Sequence, residues 1–141
     1  MGVTGLTGAI LLLGLTFGVL GAAGGTFGFH PDVAKMIGDL VSNLYEELVH
    51  RGLLFCALYG VATGRTFPME GAADRLGVVV AALGSSILFA VGHGQYPLWL
   101  RAFLVVTALI LAWPWVRARS LWACWIVHML GDVVVDSTLS F

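Results

Sequence analysis

Five apolar stretches run along the chain, separated by short polar or glycine-rich breaks. They cover residues 5–23, 33–63, 75–93, 98–116 and 120–139. Each stretch is long enough to form a helix that crosses a bilayer, which takes roughly 17–25 residues. We therefore predict an all-α fold, a polytopic membrane helix bundle of about five hydrophobic helices. We expect these helices to form a single membrane domain over residues 1–141.

The breaks contain residues that begin and end helices. Pro31 and Asp32 precede the second stretch and suit a helix start. The segment GRTFPMEGAADR, residues 64–75, is predicted to be a polar loop, and GHGQYP ends the third stretch. The first stretch carries no charge and lacks the basic start of a signal peptide, so we interpret it as a retained span.

Composition places the chain in the membrane class. Hydrophobic residues make up 59% of it and charged residues 11%, whereas soluble domains average about 25% charged residues. The formal net charge of −1 gives no reason to expect a nucleic-acid partner. Cys56 and Cys124 lie in apolar runs, which is typical of small buried hydrophobes rather than of a disulfide framework.

The second stretch contains charges that an ordinary membrane span would not carry. LYEELVHRGLLF places Glu46, Glu47 and Arg51 more than two turns from either end. Each ionised side chain at the centre of a bilayer costs about 2.5–3.5 kcal/mol. Glu47 and Arg51 are i,i+4 neighbours with the acid first, the favourable order for an ion pair. Glu46 lies about 100° further round the helix, so we predict that it faces the bundle interior, with His50 acting in packing.

Other ionisable residues fall on two further stretches. FAVGH places His93 at the end of the third stretch. HMLGD places His128 and Asp132 at i,i+4 on one face of the fifth. Ionisable residues within membrane segments are rare and usually functional. We therefore predict that these three residues and Glu46 meet in one polar site in the bundle interior.

Three short motifs occur in order on these stretches: EELVHR at 46–51, FAVGH at 89–93 and HMLGD at 128–132. They resemble the EExxxR, FxxxH and HxxxN motifs of the CPBP family, the CAAX proteases and bacteriocin-processing enzymes. Eukaryotic members of that family trim prenylated proteins. The flanking residues in EELVHRGLLF and RSLWACWIVHMLGD are similar to the family as well. The resemblance covers about residues 40–136.

The resemblance implies an intramembrane glutamate-type endopeptidase acting on a membrane-associated peptide or protein. Glu46 and His93 would hold and deprotonate a water that attacks the scissile carbonyl. His128 and Asp132 would stabilise the oxyanion. A carboxylate and a histidine on one water can supply general-base catalysis directly, so we expect no metal and no cofactor.

Further expectations follow from the same resemblance. Glu47 and Arg51 would support the site. Asp132 stands where many members carry Asn, so it would either donate to the oxyanion when protonated, which we favour, or orient His128 as an acceptor. Members usually carry more helices before the glutamate motif than this chain does. A homo-oligomer would supply the missing surface.

Two other classes of function stay open. Glu, His and Asp are all zinc ligands, which allows a zinc-dependent membrane hydrolase, although the chain contains no HExxH helix. A non-catalytic membrane module, such as an immunity or scaffolding protein, would keep the same fold. In each case we expect an integral, multi-pass protein in the lipid bilayer, in a prokaryotic cell membrane because lysines are few.

Overall fold

The computed structural model of the protein describes residues 3–69 and 72–140, and within these ranges the fold is helical. Helix α1 spans Val3–Ala22, α2 spans Val33–Glu47, a π-helical segment spans Leu48–Phe55, α3 spans Cys56–Thr63, α4 spans Arg75–Gly92, α5 spans Leu98–Ala118 and α6 spans Leu121–Thr138. A short antiparallel pair joins β1, Thr26–Phe27, to β2, Leu139–Ser140. All five predicted stretches are helical, and their ends lie within two residues of the predicted bounds.

Side-chain caps explain where two of the helices begin. The Asp32 carboxylate accepts a hydrogen bond from the backbone N–H of Lys35 at 2.9 Å, which confirms the predicted helix start. At the start of α4, Asp74 accepts from the backbone N–H of Gly77 at 2.8 Å. Each cap satisfies an N–H that has no partner inside the helix. The loop before each of these helices therefore ends at the aspartate that caps it, Asp32 before α2 and Asp74 before α4.

The middle of the second stretch differs from the prediction. Residues 33–63 were expected to form one regular helix, but Leu48–Phe55 is π-helical. A π-helix bonds i to i+5 and is rare, and it is frequently found at functional sites. This segment follows Glu47 directly and contains Arg51. Apolar periodicity alone gives no signal for it.

Helices α3 and α4 approach closely at two glycines. A Cβ added to Gly77 would lie 2.3 Å from Cγ2 of Thr63, and one added to Gly84 would lie 2.7 Å from Cδ1 of Leu58. Such distances are far shorter than van der Waals contact. Glycine at these two positions therefore permits α4 to lie against α3. His93 follows directly at the end of α4.

The loop after α3 contributes to the core, although the sequence predicted it only as polar. Phe67 is 7% exposed. Its ring centroid lies 5.0 Å from that of Phe55 and 5.7 Å from that of Trp115. These contacts pin the loop between the π-helical segment and α5, with Cys124 of α6 completely buried in the same cluster.

The side of α4 that faces outwards is apolar. Two helices, α4 and α5, are long and apolar enough to cross a membrane, and Ile10–Ala22 of α1 is a shorter apolar helix. The large exposed hydrophobic residues of α4 are Leu76, Val79, Val80, Leu83, Ile87, Leu88 and Val91. A surface of this kind marks contact with a partner or with lipid rather than with water.

Candidate active site

The predicted ion pair is present and fully enclosed. Oε1 of Glu47 lies 3.2 Å from Nη1 of Arg51. The two residues are 0% and 2% exposed. A buried carboxylate and a buried guanidinium are tolerated only when each is paired and hydrogen-bonded, so this pair must be held from several sides.

Arg51 supplies that support through contacts with two other helices. Its Nη2 donates to the backbone carbonyl of Ala108 on α5 at 3.1 Å. Its Cζ lies 5.4 Å from the ring centroid of Phe89 on α4, a cation–π contact. The guanidinium carries several donors in a planar fork, which lets one side chain bind a carboxylate and a carbonyl together. Arg51 therefore ties the π-helical segment to α4 and α5.

Glu47 also holds a histidine, which the sequence did not predict. Nδ1 of His128 lies 2.8 Å from Oε1 of Glu47, and His128 is 7% exposed. The i,i+4 spacing that revealed the pair with Arg51 reports only partners on the same helix, and His128 lies on α6. A carboxylate that accepts from Nδ1 fixes the ring orientation and leaves Nε2 pointing the other way.

Nε2 of His128 faces two carboxylates without bonding to either. It lies 3.9 Å from Oε2 of Glu46 and 3.6 Å from Oδ2 of Asp132. Both distances exceed a normal hydrogen bond. This nitrogen is therefore placed to contact a small group that enters between Glu46 and Asp132.

Glu46 also faces His93. Nε2 of His93 lies 3.8 Å from Oε1 of Glu46, and the two side chains are 19% and 24% exposed. Nδ1 of His93 lies 2.8 Å from the backbone carbonyl of Phe89. A carbonyl can only accept, so Nδ1 carries the proton and Nε2 presents a lone pair towards Glu46 in the neutral ring. A separation of 3.8 Å suits one bridging water rather than a direct bond.

Asp132 is held by a residue that the sequence analysis missed. Nδ2 of Asn43 donates to Oδ2 of Asp132 at 2.9 Å, and Asn43 is only 3% exposed. Asn43 lies one turn before Glu47, on the same side of α2. A polar amide at that spacing within an apolar stretch is the signal that would have found it.

His50 does not reach the Glu46 carboxylate despite its i,i+4 spacing. Its Nδ1 lies 2.9 Å from the backbone carbonyl of Glu46. Its ring meets Phe89 edge-on, with centroids 5.0 Å apart. The ring therefore packs between α2 and α4, in agreement with the predicted packing role.

The six predicted residues gather in one region. Among residues 3–69 and 72–140, no group of three or more His, Cys, Asp or Glu side chains is arranged to hold a metal ion. Glu46 faces both His93 and His128, and His128 also faces Asp132.

A cavity of about 370 Å³ opens beside His128 and Asp132. Most of its wall is apolar and comes from α1, α5 and α6. Its lining comprises Leu12, Thr16, Leu20, Phe89, Tyr96, Leu100, Phe103, Leu104, Thr107, Leu111, His128, Gly131, Asp132, Val135 and Asp136. An apolar chamber that ends at hydrogen-bonding groups is typical of a site for small or extended ligands.

A helical fold that places a glutamate between two histidines, beside an apolar cavity, has the parts of a hydrolytic site. The chain matches the family of type II CAAX prenyl endopeptidase Rce1-like proteins over residues 34–134. It belongs to this family, whose members are membrane-embedded peptidases. The resemblance found in the sequence is thus confirmed. No curated protein and no solved structure matches the chain.

The matched region contains Asn43 and the six predicted residues. It begins inside α2 and ends inside α6, so α1 lies outside it. Yet α1 packs against α5 and α6 and provides part of the cavity wall. The matched region therefore contains the polar residues, and α1, which lies outside it, completes the apolar side of the cavity.

Proposed function

We propose that the protein is a multi-pass intramembrane endopeptidase that uses a glutamate-activated water to hydrolyse a peptide bond of a membrane-associated substrate. The observation that carries this proposal is the position of Glu46, whose two carboxylate oxygens face His93 at 3.8 Å and His128 at 3.9 Å. Membership of a peptidase family supports the reaction class. The apolar outer face of α4 supports the membrane setting.

The first step would use Glu46 and His93 together. A water between them donates one hydrogen bond to Oε1 of Glu46 and the other to Nε2 of His93. Its lone pair is then free to attack the scissile carbonyl carbon while Glu46 takes the proton. Because Nδ1 of His93 is held by the carbonyl of Phe89 at 2.8 Å, the ring fixes the direction of the water.

The second step would use His128. When both ring nitrogens are protonated, Nδ1–H bonds to Glu47 and Nε2–H donates to the oxyanion of the tetrahedral intermediate. The C–N bond then breaks, and the proton on Glu46 passes to the leaving nitrogen. A donor fixed in advance in a site that excludes water stabilises the developing charge strongly. Arg51 balances the charge of Glu47 and keeps that carboxylate in place.

The cavity defines the kind of substrate that would fit. Its wall is mostly apolar, with leucine the commonest residue, and it reaches His128 and Asp132. We propose that it receives a large apolar side chain, or a lipid chain attached to the substrate, next to the bond that is cleaved. The prokaryotic cell membrane and a homo-oligomer remain predictions.

The direct test is to incubate the purified protein, in bilayer vesicles, with a library of apolar and lipidated peptides. We expect cleavage products by mass spectrometry from the unmodified protein and none from Glu46→Gln. Cleavage that persists at the full rate in Glu46→Gln would assign the reaction to other residues.

Substitutions in α1 should change the size of the apolar group that is accepted. Leu12 is 5% exposed and lines the cavity. Leu12→Trp should lower kcat/KM for substrates with large apolar groups by about tenfold or more relative to small ones, the usual effect of a few methylenes in an apolar pocket. Leu12→Ala should shift the preference towards larger groups. The ratio of kcat/KM values across substrates whose apolar groups differ in length measures the effect of both Leu12 substitutions.

Leu11→Trp is the matched control, because Leu11 lies next along α1 and is 58% exposed. It should leave the size preference unchanged. An unchanged preference in both Leu12 variants would show that the cavity does not bind the substrate.

A further inference from the structure

We infer that Asn43 is a positioning residue that holds the Asp132 carboxylate away from Nε2 of His128, so that this nitrogen remains open to the substrate. The inference rests on the proposed endopeptidase function. It assigns a role to a residue outside the three recognised motifs. Asn43 would act only through Asp132.

The geometry places one oxygen of Asp132 between two competing donors. Oδ2 accepts from Nδ2 of Asn43 at 2.9 Å. The same Oδ2 is the atom of Asp132 that faces Nε2 of His128, at 3.6 Å. Asp132 lies one turn after His128 on α6, a spacing from which a carboxylate readily reaches the ring. The bond from α2 is therefore what keeps this oxygen beyond hydrogen-bonding distance of Nε2.

The other ring nitrogen of His128 already has a partner. Nδ1 of His128 is already bound to Oε1 of Glu47 at 2.8 Å. If Asp132 closed on Nε2, carboxylates would occupy both nitrogens and His128 would have no donor left for an oxyanion. A histidine carries only two ring nitrogens, so His128 can donate to an oxyanion only if no carboxylate is bound to Nε2.

Burial of Asn43 makes its amide depend on this bond. Asn43 is 3% exposed, so its amide has no ready access to water, whereas the side chain of Asp132 is 42% exposed. Buried amides are nearly always hydrogen-bonded, and a purely structural role would also satisfy that rule. The two roles differ in what they affect: a purely structural bond would lower stability, whereas the positioning role lowers kcat with little change in KM, and only while the Asp132 carboxylate is present.

Asn43→Ala is expected to lower kcat by about 10- to 100-fold, the scale of one hydrogen bond to a charged group, with little change in KM. The cavity that binds the apolar group is unaltered, so binding should persist while the donor is lost. In an Asp132→Ala background, the same substitution should change kcat by about threefold or less, because the interacting partner is gone. Steady-state kinetics of the four proteins in vesicles measures this cycle.

An exchange of the two side chains gives a second, volume-conserving test. In Asn43→Asp combined with Asp132→Asn, the amide and the carboxylate change places and the hydrogen bond is reversed. We expect kcat within about tenfold of the unmodified protein, on the scale of a conserved hydrogen bond. Asn43→Asp alone should be much less active, because it sets two carboxylates together. Ser42→Ala, at an exposed neighbouring position, is the control and should leave kcat unchanged.

The outcomes separate the inference from the proposed function. If Glu46→Gln abolishes cleavage but Asn43→Ala lowers kcat equally in both backgrounds, Asn43 is only structural and the endopeptidase proposal stands. An exchange variant no better than Asn43→Asp alone would overturn the inference in the same way. Unimpaired cleavage in Glu46→Gln would remove the proposed function and this inference with it.

Discussion

Glu46→Gln is expected to reduce turnover by about 10²–10⁴-fold, the contribution of a positioned general base, while the protein stays folded. Glutamine has the shape of glutamate but cannot accept a proton from water. The fold should tolerate the change, because Glu46 is 24% exposed and its contacts with His93 and His128 are 3.8 and 3.9 Å long. Initial rates of peptide cleavage, with the thermal unfolding midpoint measured alongside, would check both halves of this expectation.

Asp32→Asn is the matched control for that experiment. It removes the same charge from the same helix, and asparagine caps a helix start about as well as aspartate. Its activity should equal that of the unmodified protein. Equal losses in Glu46→Gln and Asp32→Asn would mean that turnover follows the net charge of α2 rather than a base at position 46.

The helices could be predicted from the sequence because their signals are local. An apolar stretch of sufficient length can satisfy its backbone only as a helix in an apolar surrounding. The polar cap Asp32 and the i,i+4 pair of Glu47 with Arg51 involve residues less than two turns apart. Short motifs on three stretches predicted that Glu46, His93 and His128 lie close together. In the structure the two histidines lie 3.8 and 3.9 Å from Glu46.

What the sequence did not provide were contacts between helices. The bond from His128 to Glu47 joins residues 81 positions apart, and that from Asn43 to Asp132 joins residues 89 apart. No spacing rule within one helix reports either contact. The π-helical winding of Leu48–Phe55 also had no local signal in the sequence. Tertiary packing selects these features among several that the local sequence allows.

The two adjacent glutamates, Glu46 and Glu47, show both the local signals that the sequence contains and the contacts between helices that it does not report. Local spacing placed them on different faces of the helix, and in the structure Glu47 is completely buried while Glu46 faces His93 and His128. Spacing predicted one partner for Glu47, whereas the structure shows two, and the same Oε1 contacts both Arg51 and His128. The site and the packing of the core therefore share one carboxylate, so a change that disturbs the ion pair should affect stability and the histidine together.

Arg51→Met is accordingly expected to lower the free energy of unfolding by about 3–5 kcal/mol, the cost of leaving a buried charge without its partner. Methionine fills similar space but cannot bind the carboxylate of Glu47, which is 0% exposed, or the carbonyl of Ala108. Arg65→Met is the matched control, because Arg65 is exposed just after the end of α3 and should tolerate the same change. Unfolding in detergent, followed by tryptophan fluorescence, measures both.

Adding Glu47→Gln to Arg51→Met tests whether the uncompensated charge is the cause. Replacing both members of a buried pair by neutral residues is often close to neutral, so the double variant should recover most of the lost stability. The amide oxygen of the introduced glutamine would still accept from Nδ1 of His128, which limits the disturbance to the ion pair itself. If the double variant is as unstable as Arg51→Met alone, the loss comes from the contacts of Arg51 with Ala108 and Phe89 rather than from the unpaired charge of Glu47.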